Sequence, residues 1–294
     1  MSLLLALLLQ VGPDPTGGAI ANDDLVRDRP PRPDRSALTE QETLDPTSAW
    51  LQTCLDQLAA DLARAHTMAQ IRRGETSGAE RVLANHCLGT AASELGLWED
   101  ARGAFLAAHD ETPEGEPRAR ARFAALAGNA ALAGGDAEGA LALLTQAEAD
   151  ARAAGSTPLE AIAAIDRARA LVSLGRGEEG LAALEAATRL APENAEGWLL
   201  KATLLRRLDR LGLAQEAIEA AAKLTPTNPE VGLEAGVIAV LAGRDEAARA
   251  SWQSVLDLQP ESLAAATAKD YLAQLGPPPT ETPAPATEDQ EPPA

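Results

Sequence analysis

The sequence predicts an all-α chain built from tandem helix pairs, and three observations carry this. Hydrophobic residues make up 46% of the 294 positions but aromatics only 2%, with alanine and leucine supplying most of the apolar content. Alanine and leucine are strong helix formers, while the β-branched and aromatic residues that strands favour are scarce. Pro192, Pro226 and Pro260 stand 34 residues apart, and self-similarity at a fixed period of this size marks a repeat architecture. Ahead of each proline, a small residue and then a large one recur in the same order.

The chain opens on MSLLLALLLQVG, an apolar run too short to span a membrane, which takes about 20 apolar residues. It resembles the h-region of a secretory signal, with Ala19-Ile20-Ala21 as a small-x-small cleavage site, so residues 1–21 are read as a possible signal peptide. No Lys or Arg precedes the run, and Pro13 to Gly18 lengthens the gap before the cleavage site. An uncleaved apolar N-terminus, or a start placed too late, is the competing reading. Residues 22–46 are polar, with Pro30, Pro31 and Pro33 among charges, and read as a disordered linker.

Thr47 or Ser48 can start a helix, after which Leu51, Leu55, Leu58 and Leu62 fall on one face. Residues 47–80 are therefore expected to form an N-terminal helical cap or a degenerate repeat. Five copies of a longer pattern follow over residues 81–261, starting near Val82, Ala121, Ala161, Ala195 and Pro229. Each has a turn residue (Gly96, Gly135, Gly175, Asp209, Gly243) between two helices. Small residues recur on the first helix (Gly89, Gly128, Ala168, Ala202, Gly236), where they let the two helices approach. Small residues recur on the second helix too (Ala101, Ala140, Gly180, Ala214, Ala248). Large ones (Phe105, Leu144, Leu184, Ile218, Trp252) are expected to fill space against the next pair. A proline past the second helix stops it. The second copy lacks that proline and leads into a longer connection through Gly155 and Pro158; a similar insertion lies around Glu114 to Pro117. Ser262 and Gly276 bound a last, capping helix over 262–276. Residues 277–294 hold seven prolines, four acids and no basic residue, and read as a disordered acidic tail.

The order of these residues resembles the tetratricopeptide repeat: a large residue, Leu-Gly, a small residue, an aromatic or aliphatic, another alanine and a terminal proline over 34 residues. The resemblance covers about 180 residues. It implies a right-handed α-solenoid, because no single pair buries its own apolar face and the pairs must stack. It also implies that first helices line a concave groove which binds a protein or peptide. On that register Arg122, Asn129, Arg169, Thr203, Arg206 and Arg207 face the groove, with Leu233, Val237 and Leu241 further on. Guanidinium forks bind carboxylates bidentately, so the arginines suit an acidic segment or a C-terminal carboxylate. The alternative is solvated charge, or internal pairing with Asp166 and Glu196. Some members of the family clamp a C-terminal carboxylate with asparagines and lysines; Asn129 fits one such position, but Asp166 stands where a second asparagine belongs. Packing under the helix after Ser262 is the first reading of Leu233, Val237 and Leu241.

Chemistry finds little footing. The net charge of −19 repels phosphate backbones and anionic membrane surfaces, so neither nucleic acid nor stable membrane insertion is expected. His66, His86 and His109 lack metal-ligand spacing, and no phosphate-binding glycine loop or nucleophile elbow is present. No catalytic residue, metal or cofactor is assigned. Cys54 and Cys87 lie on apolar faces of helices expected to be neighbours. In an exported protein a disulfide between them would tie the cap to the first repeat, closing a loop worth roughly 3–4 kcal/mol; two buried thiols are the alternative. The resulting expectation is a bacterial, periplasmic or secreted scaffold, without catalysis, that binds a segment of another envelope protein; the bacterial source is inferred from the alanine-rich composition and the style of the signal. The competing readings are a cytoplasmic scaffold, an accessory or structural subunit of a larger complex, and a stand-alone enzyme.

Overall fold

The computed structural model describes residues 46–276. The possible signal peptide, the linker before Pro46 and the tail from Pro277 lie outside the described residues. Those described form α-helices and no strand. They are α1 (Pro46–Ala60), α2 (Leu62–Glu75), α3 (Ala79–Glu94), α4 (Trp98–Glu111), α5 (Pro117–Ala133), α6 (Ala137–Ala153), α7 (Thr157–Ser173), α8 (Gly177–Leu190), α9 (Ala195–Arg207), α10 (Leu211–Leu224), α11 (Pro229–Leu241), α12 (Asp245–Leu258) and α13 (Leu263–Leu275). From α3 to α12 they fall into five antiparallel pairs, each stacked on the next, with α13 packed over the last.

The same turn closes the first helix of every pair. Gly96, Gly135, Gly175 and Gly243 take φ between 70° and 86°, and Asp209 takes 60°. The following amide then reaches back five residues: Leu97 to the carbonyl of Ala92, Asp136 to Ala131, Arg176 to Leu171, Arg210 to Leu205 and Arg244 to Ala239, at 2.8–2.9 Å. This is the six-to-one bond of a Schellman cap, which needs a left-handed residue just before its donor. Glycine adopts that conformation freely, and aspartate more readily than most residues. At the next boundary Asn194, Asn228 and Ser262 cap the following helices by accepting from Gly197, Glu230 and Ala265 amides at 2.9–3.1 Å.

The large residues of the second helices seat on their own first helix and also meet the next element: Phe105 clusters with Phe123 and Ala127 of α5, and Trp252 with Ala264 and Tyr271 of α13. A Cβ added to Gly89 would lie 2.6 Å from Phe105, one on Gly128 2.6 Å from Leu144, and one on Gly236 2.1 Å from Trp252. The small residue is therefore the socket for the large one sixteen positions on. The next pair then packs against the ridge this creates, so that Ile165, Leu184, Leu205, Ile218 and Ile238 merge into one core.

The expected long connection after the second copy is largely helix. With no proline to stop it, the alanine-rich run continues α6 to Ala153, and Gly155, at φ 60°, makes the break. Pro158 falls in the first turn of α7, where its missing amide hydrogen is harmless. The insertion around Glu114 similarly ends with Pro117 opening α5. Alanine propensity outweighed the reading of these residues as loop.

Candidate partner-binding face

The first helices of successive pairs share one side of the stack: α5 touches α7, and α9 touches α11, besides the contact each makes with its own second helix. Their outward positions give one continuous row, and the predicted residues lie along it.

The structure brings several of these together in an ion-pair ladder. Asn129 on α5 donates through Nδ2 to Asp166 Oδ2 on α7 at 2.9 Å. Arg169 donates to Asp166 Oδ1 and, through its other terminal nitrogen, to Glu196 on α9. One rung later Arg206 grips Glu234 of α11 with Nε and Nη2, at 2.6 and 3.3 Å. The row thus links α5, α7, α9 and α11 through side chains. Asp166 is buried, and burial pushes its carboxyl above the usual carboxylate range against the opposing pull of Asn129 and Arg169.

This sorts the predicted arginines. Arg169 and Arg206 are engaged internally, as the pairing alternative held for Asp166 and Glu196. Arg122 and Arg207 are exposed and make no ion pair with any described residue, and Thr203, one turn before Arg207 on α9, is half-buried. Asn129 is exposed but spends a donor on Asp166, so the two positions compared with a carboxylate clamp hydrogen-bond to each other. Glu234 was missed from sequence. It lies 68 residues, two 34-residue periods, beyond Asp166, so the repeat register held the signal: the same position is acidic twice. Ile162, 44% exposed beside this row, was also missed.

At the N-terminal part of the row, His86 sits half-buried with its ring 5.4 Å from Phe123, edge-on, and 6.4 Å from Phe105. Burial first, and the Arg122 charge second, hold its pKa below the ordinary value, so the imidazole is neutral at pH 7. At the other part, Leu233 and Val237 pack against the cluster that contains Ala264, Ala265 and Ala268 of α13, whereas Leu241 stays 53% exposed. Packing therefore takes two of the three apolar candidates.

Cys54 of α1 and Cys87 of α3 are both buried and joined as a disulfide, with Cα atoms 6.3 Å apart. Among the described residues no group of three His, Cys, Asp or Glu is placed to hold a metal ion, and no helix is long and apolar enough to cross a membrane.

Comparison with known proteins agrees with this architecture. Residues 165–229 and 199–262 match the tetratricopeptide repeat family. No curated protein matches the chain. Among solved structures, PilW, described as a widely conserved type IV pilus biogenesis factor, superposes with a TM-score of 0.61 at 15% identity, covering 75% of this chain and 97% of its own. PilF of Pseudomonas aeruginosa gives 0.59 at 16% identity, over 77% and 97%. BtubC from P. vanneervenii gives 0.54 at 15%, over 84% and 99%. At these identities the likeness is one of fold. Residues 165–262 thus resemble tetratricopeptide repeats in sequence, within a helix-pair solenoid whose architecture these structures share.

Proposed function

We propose that the chain is a non-catalytic scaffold, exported to the cell envelope, that binds an extended segment or helix of another protein along the row of first helices. The observation that carries the reading is the ladder from Asn129 to Glu234. It fixes four first helices relative to one another before any partner arrives, and a preorganised surface loses little conformational entropy on binding. What this row leaves available is Arg122, Thr203 and Arg207, with exposed Ile162 and Leu241. That set suits a partner offering aliphatic side chains and a carboxylate. The resemblance to tetratricopeptide repeats over residues 165–262 supports the class of function. The Cys54–Cys87 bridge supports the location, since disulfides persist in oxidising compartments.

The test uses the full chain in its host, with a photo-crosslinking residue at position 203 or 207 on the row, or at exposed Glu185 on a second helix. The reading expects one protein adduct from the row and none from position 185. Charge reversal at Arg122 and Arg207 should then weaken binding of that partner about tenfold or more. Equal crosslinking from both faces, or a partner indifferent to both arginines, would refute the site. The N-terminal mass of the same protein tests location separately: export expects loss of the residues up to about Ala21.

A further inference from the structure

We propose that the Cys54–Cys87 disulfide is a redox latch that holds α1 on the end of the solenoid, so that its reduction frees α1 while the helix pairs from α3 onward stay folded. The inference rests on how α1 is attached and is independent of the partner-binding face.

Among the described residues, very little else holds α1. Of its side chains from Ala49 to Ala60, only Cys54 is buried. Trp50, Leu51, Gln57 and Leu58 are half-buried, and Leu55 is 47% exposed. By contrast α3, to which it is tied, buries Ala84, Cys87, Leu88, Ala91 and Ala92 against its neighbours. The helix between them, α2, buries only Ala65 and Ala69. Beside Trp50 an open cleft of about 400 Å³ runs along Thr67, Met68 and Ile71 of α2. The hydrogen bonds made by α1 side chains, Gln52 to Asp56 and Thr53 to the Ala49 carbonyl, stay inside the helix. Among the described residues one polar contact leaves it: the Arg72 guanidinium lies 5.8 Å from the Trp50 ring, and that guanidinium is also held by Glu80.

A helix held by so few contacts opens locally far more often than the core does. The bond at its one buried position removes that freedom, and it spans 33 residues of sequence. Reduction restores it. A dithiol reductant breaks the S–S bond, delivering two electrons and two protons to give the Cys54 and Cys87 thiols, and is itself oxidised to a disulfide. Departure of α1 then uncovers Ala69, Cys87 and Leu88, the apolar cluster that Trp50 and Leu58 cover when the latch is closed.

Hydrogen exchange followed by mass spectrometry tests this on the full chain, oxidised and after dithiothreitol, with the double variant Cys54→Ala/Cys87→Ala in parallel. Reduction should speed exchange in α1 roughly a hundredfold and leave α3 to α13 as they were. The double variant without reductant should match the reduced wild type. The latch is overturned by unchanged α1 protection on reduction. It is equally overturned by protection lost from α3 to α13 together, by a double variant that does not fold, or by an intact mass showing two free thiols before reductant is added.

Discussion

Trp252 occupies the space that any side chain on Gly236 would need. A Cβ there would lie 2.1 Å from the indole Nε1, and that nitrogen donates to the Leu233 carbonyl at 3.1 Å. The ring is therefore anchored at its polar edge and has no easy way to move aside. Gly236→Ala should destabilise the solenoid by about 1–3 kcal/mol through overpacking. The same change in a Trp252→Leu background should cost much less, because alanine with an aliphatic partner already occupies these positions as Ala168 with Leu184 and Ala202 with Ile218. Denaturant melts of the four chains measure the coupling, and additive effects would contradict the socket.

Asp209 is the one non-glycine with positive φ among the described residues, in a turn whose four counterparts are glycine. Its side chain is exposed and makes no hydrogen bond there. Asp209→Gly should therefore stabilise the protein by about 0.5–1 kcal/mol, and Gly175→Ala, the reverse experiment at φ 73°, should cost about 1–2 kcal/mol. Thermal melts read both signs directly.

Asp166 gives a dependence on pH with a definite sign. Burial raises its pKa in the folded chain above the unfolded value, so the native state binds its proton more tightly. The contribution of this group thus favours folding in acid and is lost as pH rises through the folded pKa. Asp166→Asn cannot ionise. The stability of the variant relative to wild type should accordingly increase as pH is raised from the acid side of that pKa to the neutral side. Urea melts across that range check it; a difference independent of pH would mean the carboxyl titrates alike in both states.

His86 shifts the other way. Its depressed pKa means the neutral ring is favoured in the fold, so its contribution is present above the unfolded value and lost as pH falls through the folded one. Arg122→Gln removes the lesser of the two causes. The His86 ring, followed by NMR, should then titrate at a higher pH than in wild type while staying below a free histidine, since burial persists. No movement would show that Arg122 does not face the ring.

Much of this protein is legible in its sequence because repeats write their geometry locally. The 34-residue spacing of Pro192, Pro226 and Pro260, the left-handed turn at Gly96 through Gly243, and even the substitution of Asp209 there follow from backbone sterics that each residue carries with it. The Ser262 cap and the Gly276 stop belong to the same class. Where sequence reading failed locally, at the end of α6, a proline signal was absent and alanine propensity decided.

The charged face was less legible, because pairing is set by distance between helices rather than by position within one. Arg169 and Arg207 look alike as letters on the same row; Asp166 already stands three residues before the first on α7, but only the stack adds Glu196 of α9, and no described acid pairs with the second. The close seating of Trp252 on Gly236, and the thin attachment of α1 around Cys54, were likewise decided in three dimensions. By itself the sequence determined the helices, their turns and their repeat. The tertiary structure decided which side chains are already spent, because burial and ion pairing depend on neighbours that the chain brings together only when the pairs stack.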